Sequence, residues 1–244
     1  MISSKYPRVI GVTVDGSVGR GEPLPYSDID VLAIVRGGRT PGWFSYFDDD
    51  LHVTIGFVSL KEYGEMSKTR RDFFWRRGCA QSARVLYDPE GIISGIVRKR
   101  RAAKSTLRIV EGIAWHRYCE IIEYIGKLRN GWLRGDECLT RYAAKIIAEN
   151  VQEVVIALNN ISPVSENVVW HQVMKARKKP HHFSTDYPIA LGIKGMARTQ
   201  VAYRSGLRLA RETIELLRTE FRTSARIARF KSLMRQPIDH YLLD

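Results

Sequence analysis

Two aspartates, Asp28 and Asp30, stand at the head of an almost uninterrupted apolar run, residues 29–35. That run reads as a strand covered on both faces. In a strand, residues i and i+2 point the same way, so the two carboxylates are neighbours on one face. Two acids that close repel, and one of them tends to hold its proton unless a cation joins them. Upstream, a Val/Ile-rich segment over residues 8–14 reads as a second strand, and Gly16-Ser17 ends it. A Gly-Ser turn after a strand lets a phosphate approach backbone N–H groups, with the serine hydroxyl as a further donor. Arg20 follows in the same loop, and Gly19 and Gly21 keep it slim. Mg2+ favours oxygen ligands, commonly one or two carboxylates together with substrate phosphates. The stretch therefore suits a metal-bound triphosphate.

Gly16-Ser17, a spacer, and then Asp28-Ile29-Asp30 with Ser27 before it resemble the GS…DxD signature of the nucleotidyltransferase superfamily. This is the polymerase-β-like fold of the minimal and the kanamycin-type nucleotidyltransferases. The segment from Ala83 through Tyr87-Asp88-Pro89 to Gly91 is similar to a "vLyDp-G" stretch that often follows the core in this superfamily. The resemblance covers about residues 8–100. It implies an α+β fold: an N-terminal mixed sheet with flanking helices, then an all-α helical bundle. It also implies Mg2+ (or Mn2+) held by Asp28 and Asp30, with Gly16, Ser17 and Arg20 near the triphosphate. The reaction would move a nucleoside monophosphate from an NTP to a hydroxyl acceptor and release pyrophosphate. ATP is the default donor, since nothing in the sequence reads the base. Active members of the superfamily often carry a third acid on a neighbouring strand. Here that strand is expected over residues 51–58. Asp50 shares the parity of His52 and is the candidate third ligand and catalytic group, with His52 the alternative base.

The rest of the chain reads in two styles. Ser59 with Glu62 three residues on forms a capping box, so a helix is expected through about Arg77. A short strand over residues 83–87 stops at Asp88-Pro89, and a helix then carries Arg98-Lys99-Arg100-Arg101 out of the domain as a solvated end. Beyond residue 104 no strand pattern is found. Residues 106–128, 137–159 and 196–234 have helical spacing, with Gly, Asn and Pro between them. Two domains are expected, 1–104 and 105–244.

Arg204, Arg208, Arg211, Arg218, Arg222, Arg226 and Arg229 lie within about 40° of one direction on a straight helix, with Leu207, Ile214, Leu217 and Phe221 broadly opposite. A solvated face is one reading of this stripe, and a phosphate-binding or nucleic-acid surface is the other. Trp115, Trp132 and Trp170 are expected in the core or at an interface. The formal net charge of +13 favours polyanionic partners. Three scattered cysteines without a CxxC argue against a zinc site or a disulfide framework. No apolar run approaches the ~20 residues of a membrane span, and a cytoplasmic protein is expected. The acceptor (small molecule, RNA or protein) and the oligomeric state stay open. Two rival readings also stay open: a catalytically weak nucleotide- or RNA-binding protein on the same fold, and an antitoxin-like partner that modifies another protein.

Overall fold

A computed structural model describes residues 8–38, 40–65, 72–194 and 197–221. Five strands form one mixed sheet in the order β3-β4-β2-β1-β5. They are β1 (Val9–Val14), β2 (Ile29–Val35), β3 (Trp43–Asp48), β4 (Leu51–Ser59) and β5 (Arg84–Tyr87). β1 runs antiparallel to both β2 and β5, β2 is parallel to β4, and β3 returns antiparallel on β4. The helices of this part are α1 (Gly16–Arg20), α2 (Leu60–Glu65), α3 (Phe73–Ser82) and α4 (Ile92–Ala102). Ile10, Leu32, Ile34 and Val58 on one sheet face pack with Tyr63 of α2 and with Ile93 and Val97 of α4. The other face gathers Val9, Val12, Ala33, Val35 and Phe57.

β1, β2, β4 and β5 fall where the apolar pattern puts them, whereas β3 is not among the expected strands. Its residues are exposed along the whole length, including Trp43, Phe44, Tyr46 and Phe47. An edge strand with aromatics on both faces carries no alternation to read. Its position is explained by Gly56, where a Cβ would sit 2.6 Å from the Trp43 ring. The missing side chain lets the indole lie over the strand.

The capping box forms as expected. Ser59 N–H donates to the Glu62 carboxylate at 2.8 Å, and Glu62 N–H donates to Ser59 Oγ at 3.1 Å. Of the helix expected through about Arg77, Leu60–Glu65 and the start of α3 from Phe73 are helical, and residues 66–71 lie outside the described residues. Asp88 accepts from Ile93 N–H at 3.2 Å and from Ser94 N–H at 2.8 Å, so the Asp-Pro turn after β5 caps the start of α4. The basic run at the end of α4 is not a freely solvated end. Arg101 donates to the carbonyls of Ala80 and Ala83, and the Arg100 guanidinium lies 4.2 Å over the Tyr63 ring.

From residue 105 onward the described residues contain helices and no strand: α5 (Leu107–Leu133), α6 (Glu137–Leu158), α7 (Glu166–Met174), α8 (Phe183–Ala190) and α9 (Thr199–Glu220). Ile121, Ile125 and Leu128 of α5, Ile147 and Val154 of α6, and Leu209, Ile214 and Leu217 of α9 are wholly buried. The expected apolar face of the last helix is therefore its core face. None of the helices is long and apolar enough to cross a membrane among the described residues. The chain divides into two compact units, Met1–Ile109 with Ser162–Trp170, and Val110–Ile161 with His171–Asp244.

The inclusion of Ser162–Trp170 in the first unit has a local cause. A Cβ on Gly78 of α3 would stand 1.8 Å from the Pro163 carbonyl oxygen, so helix and segment touch backbone to backbone. Gly78→Ala is expected to destabilise the protein by ~2–3 kcal/mol. Gly95→Ala, in α4 with open space around it, should be neutral or stabilise by up to ~1 kcal/mol. Chemical denaturation of the two variants checks the contrast.

Candidate functional site

The register of the sheet sets the site. β1 pairs with β2 as far as Val14↔Val31, and the ladder continues with Asp15 N–H donating to the Asp30 carbonyl at 2.9 Å. Asp15 and Asp30 thus face each other across the strands. On the other side Asp30 is level with Thr54 of β4, and Thr54 with Ser45 of β3. One step earlier, just before the Ile29↔Val53 pair, Asp28 is level with His52. Asp28 itself precedes the first residue of β2.

Gly16 turns the chain immediately after Asp15, in the left-handed region with φ 67°. A Cβ there would lie 3.3 Å from Asp30 Oδ2, so the Gly-Ser turn rests against that carboxylate. Glycine is needed at position 19 for closeness alone, because a Cβ would meet the carbonyl oxygens of Val14 and Ser82 at 2.5 Å. The structure therefore brings Gly16 against Asp30, with Asp28 beside Asp30 and Ser17 next along the turn.

The electrostatics follow from this crowding. Burial, then the neighbouring Asp28 charge, raise the pKa of Asp30, and His52 pulls it down. Asp15 is pushed up to about 6, first by burial and next by Asp30, with Arg100 opposing. Its Oδ1 is buried without a hydrogen-bond partner. Asp15 is the site residue that the strand-parity reading misses, because parity compares residues along one strand. Its signal lies in the antiparallel return, which sets the residue after β1 opposite Asp30.

Two expected site residues lie apart from this row. Asp50 belongs to the two-residue turn closing the β3–β4 hairpin, outside the Asp48↔Leu51 pair. His52, by contrast, stands on the sheet, with Nε2 2.6 Å from the Ser45 hydroxyl. Arg20 is drawn to the other side of α1, where it pairs with Glu22 at 3.2 Å and donates to Ser82 Oγ and the Val164 carbonyl, both at 3.3 Å. There it lines a cavity of about 600 Å3 together with Arg84, Arg98 and Arg101.

Among the described residues no group of three or more His, Cys, Asp and Glu is arranged to hold a metal ion. The pair Asp28 and Asp30 nevertheless fits a hard divalent cation completed by phosphate oxygens and water. The donors are all oxygen, and the mutual repulsion of the two acids is relieved when a cation stands between them.

Comparison with known proteins agrees with this geometry. Residues 2–74 match the sequence model of a family described as the nucleotidyltransferase domain. The crystal structure of a nucleotidyltransferase-like protein from Exiguobacterium sibiricum 255-15 has a similar fold, with a TM-score of 0.51 at 13% identity, over 99% of this chain and 88% of that one. No curated protein matches the sequence. The N-terminal sheet with its flanking helices is thus the nucleotidyltransferase fold, and a helical region follows it.

The raised pKa of Asp15 makes a stability prediction. Its ionised form is disfavoured in the folded state, so the penalty is absent below the unfolded value of 3.8, develops as pH rises towards about 6, and is complete above that. Asp15→Asn should therefore stabilise the metal-free protein by ~2–3 kcal/mol at pH 8 and change little at pH 4. Denaturant melts at the two pH values measure the difference.

Proposed function

We propose that the chain is a metal-dependent nucleotidyltransferase, with Asp28 and Asp30 holding Mg2+ or Mn2+ on the triphosphate of ATP. The observation that carries this reading is the contact of the Gly16 turn with the Asp30 carboxylate, beside a second acid that raises its pKa. The metal would neutralise charge on the phosphates and on the leaving pyrophosphate. The chain's own residues supply position. Gly16 and Ser17 offer backbone N–H groups and a hydroxyl to the phosphates. Arg20, tied to Glu22 and Ser82, fixes that turn from behind. By holding the cation on the phosphates, Asp28 and Asp30 would set the α-phosphorus for in-line attack by an acceptor hydroxyl, with pyrophosphate leaving, and the barrier would fall mainly through positioning and charge neutralisation. The 1–104 segment is the catalytic domain in this reading, and the helical 105–244 segment supplies acceptor specificity.

Asp50 and His52 compete for the third role, as ligand or as base for the acceptor hydroxyl. Register supports His52, which is level with Asp28 and acts on Asp30's charge, whereas Asp50 sits in the hairpin turn. A second reading, nucleotide or RNA binding with little catalysis, draws on Thr54, because the β4 position level with Asp30 carries a hydroxyl where a third acid would complete the set.

Incubation with α-labelled ATP and Mg2+ against RNA, lysate protein and small hydroxyl compounds tests the proposal. Asp28→Asn with Asp30→Asn should lower label transfer by ~10³-fold or more and remove the metal dependence of ATP binding in calorimetry. His52→Ala should cost ~10²-fold or more in rate, and Asp50→Asn only a few-fold. Metal-dependent ATP binding without any pyrophosphate release would select the second reading, and ATP binding indifferent to metal would reject the first.

A further inference from the structure

The C-terminal end of α5 and the first three turns of α9 enclose a groove of about 870 Å3 within the helical unit. Four of its lining residues are arginines, Arg129, Arg204, Arg208 and Arg211, and none is acidic. Trp132 and Tyr203 also line it. Their rings stack at 5.0 Å and 18°. Trp132 keeps 38% of its surface exposed, and Leu133 beside it 81%. Trp132, expected in the core or at an interface, stands at the contact of α5 with α9, with part of its surface open at the mouth of the basic groove.

The arginines are spaced for an extended ligand. Arg204, Arg208 and Arg211 are all exposed on α9, and their helical rise spans ~10 Å along one face. Arg208 is the fixed point among them. It donates through Nε and Nη2 to Asp186 of α8, a carboxylate with no exposed surface, which also accepts from Ser205 Oγ at 3.1 Å. That buried pair sets the orientation of the groove wall, and Arg204 and Arg211 flank it one turn away on either side. Arg218 of the expected stripe is drawn off towards Glu215, and Arg222, Arg226 and Arg229 lie outside the described residues.

Positive charge alone would suit any anion. A row of arginines ending on a partly exposed indole suits one whose phosphates repeat and whose unpaired bases offer π-faces. Bases stacked inside a duplex cannot turn onto the Trp132 ring. We propose that this groove binds single-stranded nucleic acid, with backbone phosphates along Arg204 and Arg211 and a base on Trp132. The proposal is independent of the carboxylates of the N-terminal unit.

Fluorescence anisotropy with a labelled oligouridylate of about 16 nucleotides, titrated with the full chain at several salt concentrations, tests it. Binding should weaken linearly in log–log form as salt rises. Arg204→Glu with Arg211→Glu should lower affinity at least tenfold and flatten the salt slope by about 1.4. The Lys–Lys pair at the same positions should keep the slope. Trp132→Ala should lower affinity at least about fivefold with the slope unchanged. Melting curves verify that the variants fold, and the exposed Arg204 and Arg211 carry the test where Trp132→Ala melts early. Asp28→Asn with Asp30→Asn should bind the strand as the unaltered protein does, which separates a failure here from a failure of nucleotidyl transfer. The proposal is overturned if the strand does not bind or if the Glu–Glu variant binds it unchanged. It is equally overturned if duplex of the same length binds as tightly, or if inorganic phosphate or anionic lipid vesicles displace the strand at matched phosphate concentration.

Discussion

The antiparallel return of β2 on β1 is the constraint from which the N-terminal unit is organised. It continues one residue past the last side-chain pair of the ladder, and that one residue is Asp15. A carboxylate is thereby pressed against another, Asp30, which already has Asp28 two positions away. The flanking elements can be understood as the surroundings such a concentration of charge requires. Gly16 is favoured on two counts: its backbone is left-handed, and a Cβ there would crowd Asp30 Oδ2. Arg100 comes back from the far end of α4 to lie over Tyr63, and its charge is the one that favours ionised Asp15. A sheet designed only for stability would place apolar side chains in that row.

The helical unit handles a buried acid differently. Asp186 has no exposed surface, yet both of its oxygens are satisfied by Arg208 and Ser205. It is a finished ion pair, which orients its neighbours and invites no ligand. Asp15 keeps an unpartnered buried oxygen. The contrast between a completed and an uncompleted carboxylate distinguishes the two buried acids, and composition cannot reveal it, since both are aspartates in apolar surroundings.

What could be read in the sequence was whatever depends on local pattern. The strand at 29–35, the Ser59–Glu62 capping box and the apolar face of α9 each follow from periodicity or from a few adjacent side chains, and each appears in the fold. What could not be read depends on which strand lies beside which. Asp15 becomes a site residue only through pairing with β2, and His52 rather than Asp50 reaches the level of Asp28 only through the parallel register of β4. The exposed aromatics of β3 were hidden for the opposite reason, since an edge strand satisfied by one neighbour needs no alternating code. Arg100 and Arg101 looked like solvated charge because their partners, a tyrosine ring and two helix-end carbonyls, are 18 or more positions away.

The backbone contact between Gly78 and Pro163 also bears on the order of assembly during synthesis. Domains emerging from a ribosome ordinarily fold from the amino end as each is completed. Here the amino-terminal unit recruits a piece of chain made more than fifty residues after its last helix has ended, with α5 and α6 intervening. Its surface around α3 stays open until that piece has been translated, so the first unit waits, incomplete, while α5 and α6 of the second are already being made.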